Sequence, residues 1–325
     1  MALRFVRPVL SVHAAGHLLM QCTRVLGAII LLAGPYVLAQ TQDATRQQLL
    51  QQVEAGQLQD AVALGQKAIA QWPDDGDMHH WLGLAYFKSG TLAPAREQLE
   101  RARDLKLRDA SARFDLALVC LSQQDYVAAA SALEASIKID SSNPLAHVLL
   151  GRAYLNSNRS LQGIEEFKTA LRLDPGIRLG HYHLGFAYSS LGRNDEAIAE
   201  YRAELQQSGE HPEVVFQLGH SLLESGKITE AIGFLRRAAE LAPKNPDVWY
   251  SLGKAQLLAG QTLQAEISLR RAIELNENDP SPHYQLARAL EKLGRSDDAR
   301  KERARFAELK KAQTPTAGMA TARDR

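Results

Sequence analysis

Cysteine is scarce in this sequence. There are two, Cys22 and Cys120. Cys22 falls in an N-terminal leader, so a processed chain keeps Cys120 alone and no internal disulfide can form. Stability must come from packing. Charge of one sign is missing too. The formal net charge is +1, and removing residues 1–39, with Arg4, Arg7 and Arg24 and no acid, takes it to −2. A chain without basic excess lacks the electrostatic footprint of a nucleic-acid or anionic-membrane binder. Catalytic signatures are absent as well. There is no Gly-rich phosphate loop, no G-x-S-x-G and no H-E-x-x-H, and the stretches at 191–195 and 258–262 are helix turns. The acid pair Glu165-Glu166 sits on a solvated helix face. No nucleic acid and no cofactor is expected.

Long apolar runs are missing except at the start. Val25 to Gly34 reads VLGAIILLAG, with Arg24 before it and Pro35 after it. Val37-Leu38-Ala39 then forms an A-x-A-like cleavage site ahead of Gln40. The apolar stretch 25–39 is short for a membrane-spanning helix, which needs about 20 residues. Residues 1–39 therefore read as a signal peptide, which places the mature chain in the periplasm or among secreted proteins. A start at Met20 would leave a conventional leader, MQCTR ahead of the apolar core. An uncleaved leader that stays as a membrane anchor is the alternative.

What is present is one unit repeated. Starting at 42, 76, 110, 144, 178, 212, 246 and 280, eight units of 34 residues follow without insertion or deletion, to residue 313. Position 7 is Leu in seven of the eight, from Leu82 to Leu286. Position 20 reads Ala61, Ala95, Ala129, Gly163, Ala197, Ala231, Ala265, Ala299. Helices that cross closely need small residues at the contact. Position 15 is Gly or Asn in seven of the eight and Gln124 in the other, the chemistry of a left-handed helix end. Pro144, Pro212, Pro246 and Pro280 open their units, and Asn143, Asn245 and Asp279 before three of them are N-caps. Each unit is a pair of antiparallel helices.

The columns resemble the tetratricopeptide repeat, W-x2-L-G-x2-Y, then A-x3-F, then P, over 34 residues. Leu150-Gly151, Tyr154, Gly163, Phe167, Ala170 and Pro175 carry the resemblance. So do Leu184-Gly185, Tyr188, Ala197 and Tyr201, and Trp249, Leu252, Gly253 and Ala265. The resemblance implies an all-α solenoid over 40–313, eight helix-turn-helix units in a right-handed superhelix. The first helix of the first unit is mostly polar, and Arg303 in the last unit stands where the core wants Leu or Phe. Both departures fit end units that face water. Residues 314–325 read as a disordered tail.

Ten histidines raise a metal reading. His79, His147, His181 and His283, however, share position 4, where the family has Trp. One histidine per unit is a packing pattern, not a set of converging ligands.

The resemblance implies that positions 2, 5, 9 and 12 of the first helices face a concave groove. Position 5 holds Arg46, His80, Phe114, Val148, Tyr182, Phe216, Tyr250 and Tyr284. Position 9 runs Leu50, Leu84, Leu118, Arg152, Phe186, His220, Lys254, Arg288. The candidate partner site is Phe114, Tyr182, Phe186, Phe216, His220, Tyr250, Lys254, Tyr284 and Arg288. Rings beside cations suit an extended peptide with apolar and acidic groups, and rings that only pack between neighbouring repeats are the competing reading. No unit has Asn at position 9 or 6, so the family's clamp for chaperone C-terminal carboxylates is not expected. The expected function is a non-enzymatic interaction scaffold outside the cytoplasm. A membrane-anchored assembly factor, or an accessory subunit presenting substrates to a separate enzyme, is the alternative.

Overall fold

The computed structural model describes residues 41–106 and 108–313. The leader, its cleavage point and the 314–325 tail lie outside the described residues. Sixteen helices and no strands are found among the described residues. They fall into two compact bodies, one ending at Asp125 and the other beginning at Tyr126. The first body holds α1 (41–54), α2 (Leu58–Gln71), α3 (Gly76–Lys88), α4 (Leu92–Leu105) and α5 (Ala110–Ser122). The second opens with α6 (Tyr126–Ile139), α7 (Pro144–Asn156), α8 (Ser160–Leu173), α9 (Gly180–Ser190), α10 (Asn194–Ser208) and α11 (Pro212–Glu224). It continues through α12 (Ile228–Leu241), α13 (Pro246–Leu258), α14 (Thr262–Leu275), α15 (Pro280–Lys292) and α16 (Ser296–Gln313).

Turn chemistry sets the length of every unit. All eight residues at position 15 have positive φ, from +59° at Gln124 and Asn158 to +81° at Gly90. Gln124 takes this conformation without being Gly or Asn, at a cost of about 1 kcal/mol. The other end of each pair is capped. Asn143, Asn245 and Asp279 accept main-chain N–H bonds from the next helix, and each is followed by Pro at the first helical position. Asp75 and Asp109 do the same for α3 and α5.

Within each pair the two helices touch through the small columns. The position-20 alanines are fully buried. A Cβ added at Gly163 would lie 2.9 Å from the Gly151 carbonyl oxygen, so only glycine allows that crossing. A Cβ at Gly151 would lie 2.6 Å from the Phe167 ring, and one at Gly253 2.6 Å from Leu269. Packing runs between helices adjacent or next-but-one in sequence, including α7 with α9, α9 with α11, α11 with α13 and α13 with α15. That is the nearest-neighbour architecture of a solenoid. At the C-terminal end Arg303 is half exposed and ion-paired with Glu291, in place of a core residue.

Unit five departs from its neighbours. Its first helix begins at Gly180, after Leu179 in a left-handed conformation at φ +60° with no side-chain cap. The missing cap comes from the second helix. Glu204 is fully buried, and its carboxylate accepts from the Tyr182 main-chain N–H at 3.2 Å and from the Ser208 hydroxyl at 2.7 Å. A carboxylate at a helix N-terminus is stabilised by the unpaired N–H groups there.

Candidate partner-binding face

The histidines at position 4 are structural pegs. In His79, His147, His181 and His283, Nδ1 lies 2.6–2.7 Å from the side chain 19 residues on, respectively Gln98, Glu166, Glu200 and Glu302. That partner occupies position 23, on the second helix of the same unit. Nε2 of His79 donates to the Pro73 carbonyl six residues back at 2.9 Å. The indole N–H of Trp249, also at position 4, donates to the Pro243 carbonyl at 3.0 Å. Histidine and tryptophan thus do the same work, an N–H aimed at the preceding turn. No group of three His, Cys, Asp or Glu side chains among the described residues could hold a metal.

In the second body the position-5 rings form a row with one side on the core. Tyr182 and Phe216 pack against one apolar cluster and Tyr250 against another. Tyr284 remains 46% exposed and Phe186 42% exposed. The Tyr182 ring lies 6.4 Å from Phe186, 5.3 Å from His183 and 6.1 Å from Tyr201. Tyr284 has Phe306 at 5.3 Å and Phe216 has His220 at 6.1 Å. Each ring is part packing element and part surface. Burial, with Glu213 nearby, raises the Tyr182 phenol to about 12, so it stays a donor.

The row of cations expected at position 9 is largely neutralised. Burial pushes His220 below its usual value, so it is a neutral ring near pH 7. Lys254 is held by Glu224 at 2.8 Å, across to the preceding unit. Arg288 is exposed and bonded to the uncharged Gln285 at 2.9 Å. Arg152, exposed at the same position of unit four, has no acidic partner among the described residues. The expectation of a cationic row at His220, Lys254 and Arg288 is corrected: burial and an ion pair remove the first two, and Arg288 remains.

Phe114 lies in the first body, away from the others in sequence. It is half-buried, as are Asp115, next to it in sequence, and Leu118, one turn further along the same helix. Asp115 is 2.6 Å from Nε2 of His80, which stacks on Trp81 at 4.6 Å. Position 9 is leucine throughout this body, at Leu50, Leu84 and Leu118. The two bodies thus present different first-helix faces, with leucine throughout position 9 in one and a run of aromatic rings at position 5 in the other.

Two features escaped sequence reasoning, and both had a signal. Position 23 is Gln or Glu only in the four units with His at position 4, a covariation that names the peg's partner. Position 27 is Ala or Ser in six units, and the exceptions are Glu204 and Phe306. One caps α9 and the other lies tilted against the Tyr284 ring.

Helix pairs of fixed length stacked through small columns define a helical-repeat binding class. Family models for the tetratricopeptide repeat match at residues 148–212, 188–255, 222–280 and 268–301. A model for subunit 3 of the anaphase-promoting complex, cyclosome, matches at 54–136. The chain belongs to the tetratricopeptide-repeat family. Among solved structures, the Cut9-Hcn1 hetero-tetramer of APC/C is similar over 80% of this chain and 51% of its own, at 18% identity and TM-score 0.55. YrrB, described as a TPR protein with an unusual peptide-binding site, is similar over 57% of this chain and 95% of its own, at 16% identity and TM-score 0.50. MamA from Desulfovibrio magneticus RS-1 is similar over 52% and 96%, at 18% identity and TM-score 0.50. These likenesses are of fold. No curated protein matches the sequence.

Proposed function

We propose that this chain is a non-enzymatic scaffold, working outside the cytoplasm, that holds an extended segment of a partner protein along the first-helix face of its second body. The observation that carries this is the row Tyr182, Phe216, Tyr250 and Tyr284, one ring per unit in four successive units, each half-buried or exposed. Rings that are already fixed on one side by the core lose little entropy when a partner covers the other side. The peptide-binding site ascribed to YrrB supports the same use of a helical-repeat array. The apolar 25–39 stretch supports export.

Tyr250→Ala separates binding from packing. A partner anchor should weaken binding by about 2 kcal/mol or more with little change in melting. A purely packing ring should cost about 3–5 kcal/mol of stability. The readout is melting of the variant, with binding to a partner purified by crosslinking from the envelope fraction. N-terminal sequencing of the same material tests export. A chain starting at Gln40 supports a soluble scaffold, and an intact leader would replace it with the anchored assembly factor.

A further inference from the structure

We infer that the occupant of this face is a proline-rich segment in the polyproline II conformation, flanked by acidic residues; this rests on the binding reading above. Three observations lead there. The first is spacing. First helices of successive units pack directly, α9 with α11, α11 with α13 and α13 with α15. Packed helices lie about 8–10 Å apart. A polyproline II helix advances about 3.1 Å per residue with three residues per turn, about 9.3 Å. One turn of such a segment therefore spans one unit, and each ring meets the same face of the segment. A strand, with its two-residue repeat of about 6.6 Å, would drift out of step.

The second observation is hydrogen bonding. The hydroxyls of Tyr182, Tyr250 and Tyr284 have no hydrogen-bond partner among the described residues, and the raised pKa of Tyr182 keeps its proton in place. These groups are available to donate. A proline-rich segment is a chain of carbonyl acceptors with few N–H donors of its own. Apolar pyrrolidine rings against aromatic faces complete the match.

The third is charge. Lys254 is cancelled by Glu224 and His220 is neutral, so position 9 offers no free cation in the middle of the ring row to call for an acid there. Arg152 and Arg288 carry no acidic partner among the described residues and sit at position 9 of units four and eight, at either end of the ring row. An uncharged segment with an acid at each end complements that arrangement.

The test uses the full processed chain and three fluorescein-labelled peptides of equal length. One is a decaproline with two aspartates at each end. In the others, the prolines are replaced by alternating glycine and serine, or by alternating leucine and alanine. The proline probe should bind saturably and at least tenfold more tightly than both controls. Tyr250→Ala should weaken it about tenfold, and Tyr250→Phe, which keeps the ring and removes the hydroxyl, about threefold. Arg288→Glu should slow association and reduce its dependence on salt. Circular dichroism confirms that each variant is folded, and Tyr250→Phe serves if Tyr250→Ala is not. Tyr250-dependent binding of the leucine-alanine probe, equal to or tighter than the proline probe, would overturn the proline assignment and leave the binding face intact. Proline binding unaffected by Tyr250 or Arg288 variants would overturn the assignment to this face. If no probe bound the folded chain, the proline assignment would fall, and the binding face would then stand or fall on the natural partner.

Discussion

The first body keeps its polar groups tied to one another, while the second leaves rings and two arginines open. In the first, Asp75 receives Arg46 at 2.7 Å and Gln42 at 2.6 Å, His80 pairs with Asp115, and Arg96 reaches both Glu100 and Asp125. Its first-helix face shows leucines between these pairs. In the second, position 9 reads Arg152, Phe186, His220, Lys254 and Arg288, and position 5 is aromatic from Tyr182 to Tyr284. One 34-residue pattern thus supports two surfaces, because the columns that set helix crossing are not the columns that face outward. Repeat architecture fixes the small and turn positions and leaves positions 5 and 9 free to differ.

The largest effect should come from the crossing columns, which the bodies share. Gly163→Leu drives a side chain against the Gly151 carbonyl, and Gly83→Leu drives one against Leu99, whose Cγ would lie 2.7 Å from the new Cβ. Each should cost about 3 kcal/mol or more. Hydrogen exchange should show protection lost first in the body that carries the substitution. Equal loss in both from either variant would dissolve the distinction between them.

Acid should separate the bodies next. In the second body, burial, aided by Arg152, holds His183 at about 4 against an ordinary 6.5. Its folded form resists a proton that the unfolded chain accepts. The second body therefore loses stability as pH falls from about 6.5 toward about 4, by about 2 kcal/mol from this group. Partly buried His220 shifts the same way. In the first body the shifted carboxylates are Asp75, Asp104 and Asp109, all lowered from 3.8. Their contribution is present above that value and disappears only as pH falls below it. His183→Phe, which keeps a ring against Phe167, should flatten the second body's loss between pH 6.5 and 4 in denaturant titrations.

A smaller effect is expected from Glu204→Ala. Alanine is the common residue at that position, so a column average would read the change as stabilising. The geometry says otherwise, because the Tyr182 N–H loses its acceptor at a helix start that has no other cap. A loss of about 1–2 kcal/mol is expected, measured by denaturant unfolding. An increase in stability would mean that the buried carboxylate is a burden to unit five. Smallest of all should be Lys254→Ala. Its pair with Glu224 is partly exposed, and such pairs contribute about 0–1 kcal/mol.

The helix pairs were legible in the sequence because they depend on local chemistry repeated eight times. The left-handed position 15 shows this most clearly, since even Gln124 adopts it. The Pro and Asn or Asp starts at Pro144, Pro246 and Pro280 were equally legible, because a cap bonds residues two or three positions away. The aromatic row at position 5 was visible for the same periodic reason. Its electrostatics were not. His220, Lys254 and Arg288 form one column of basic residues in the sequence, yet one is neutral, one is paired and one is open.

The class of fold, the length and number of its units, the turns and caps between helices, and the residues that share a face are all written in the local order of side chains. All of these follow from bonds and contacts within one helix pair, where spacing along the chain equals spacing in space. It is packing in three dimensions that cancels Lys254 with a glutamate 30 residues away, strips His220 of its charge by burial, and sets Glu204 as the cap of a helix 22 residues before it. A charge takes its strength from what surrounds it, and in a stacked array those surroundings come from the second helix and the neighbouring unit.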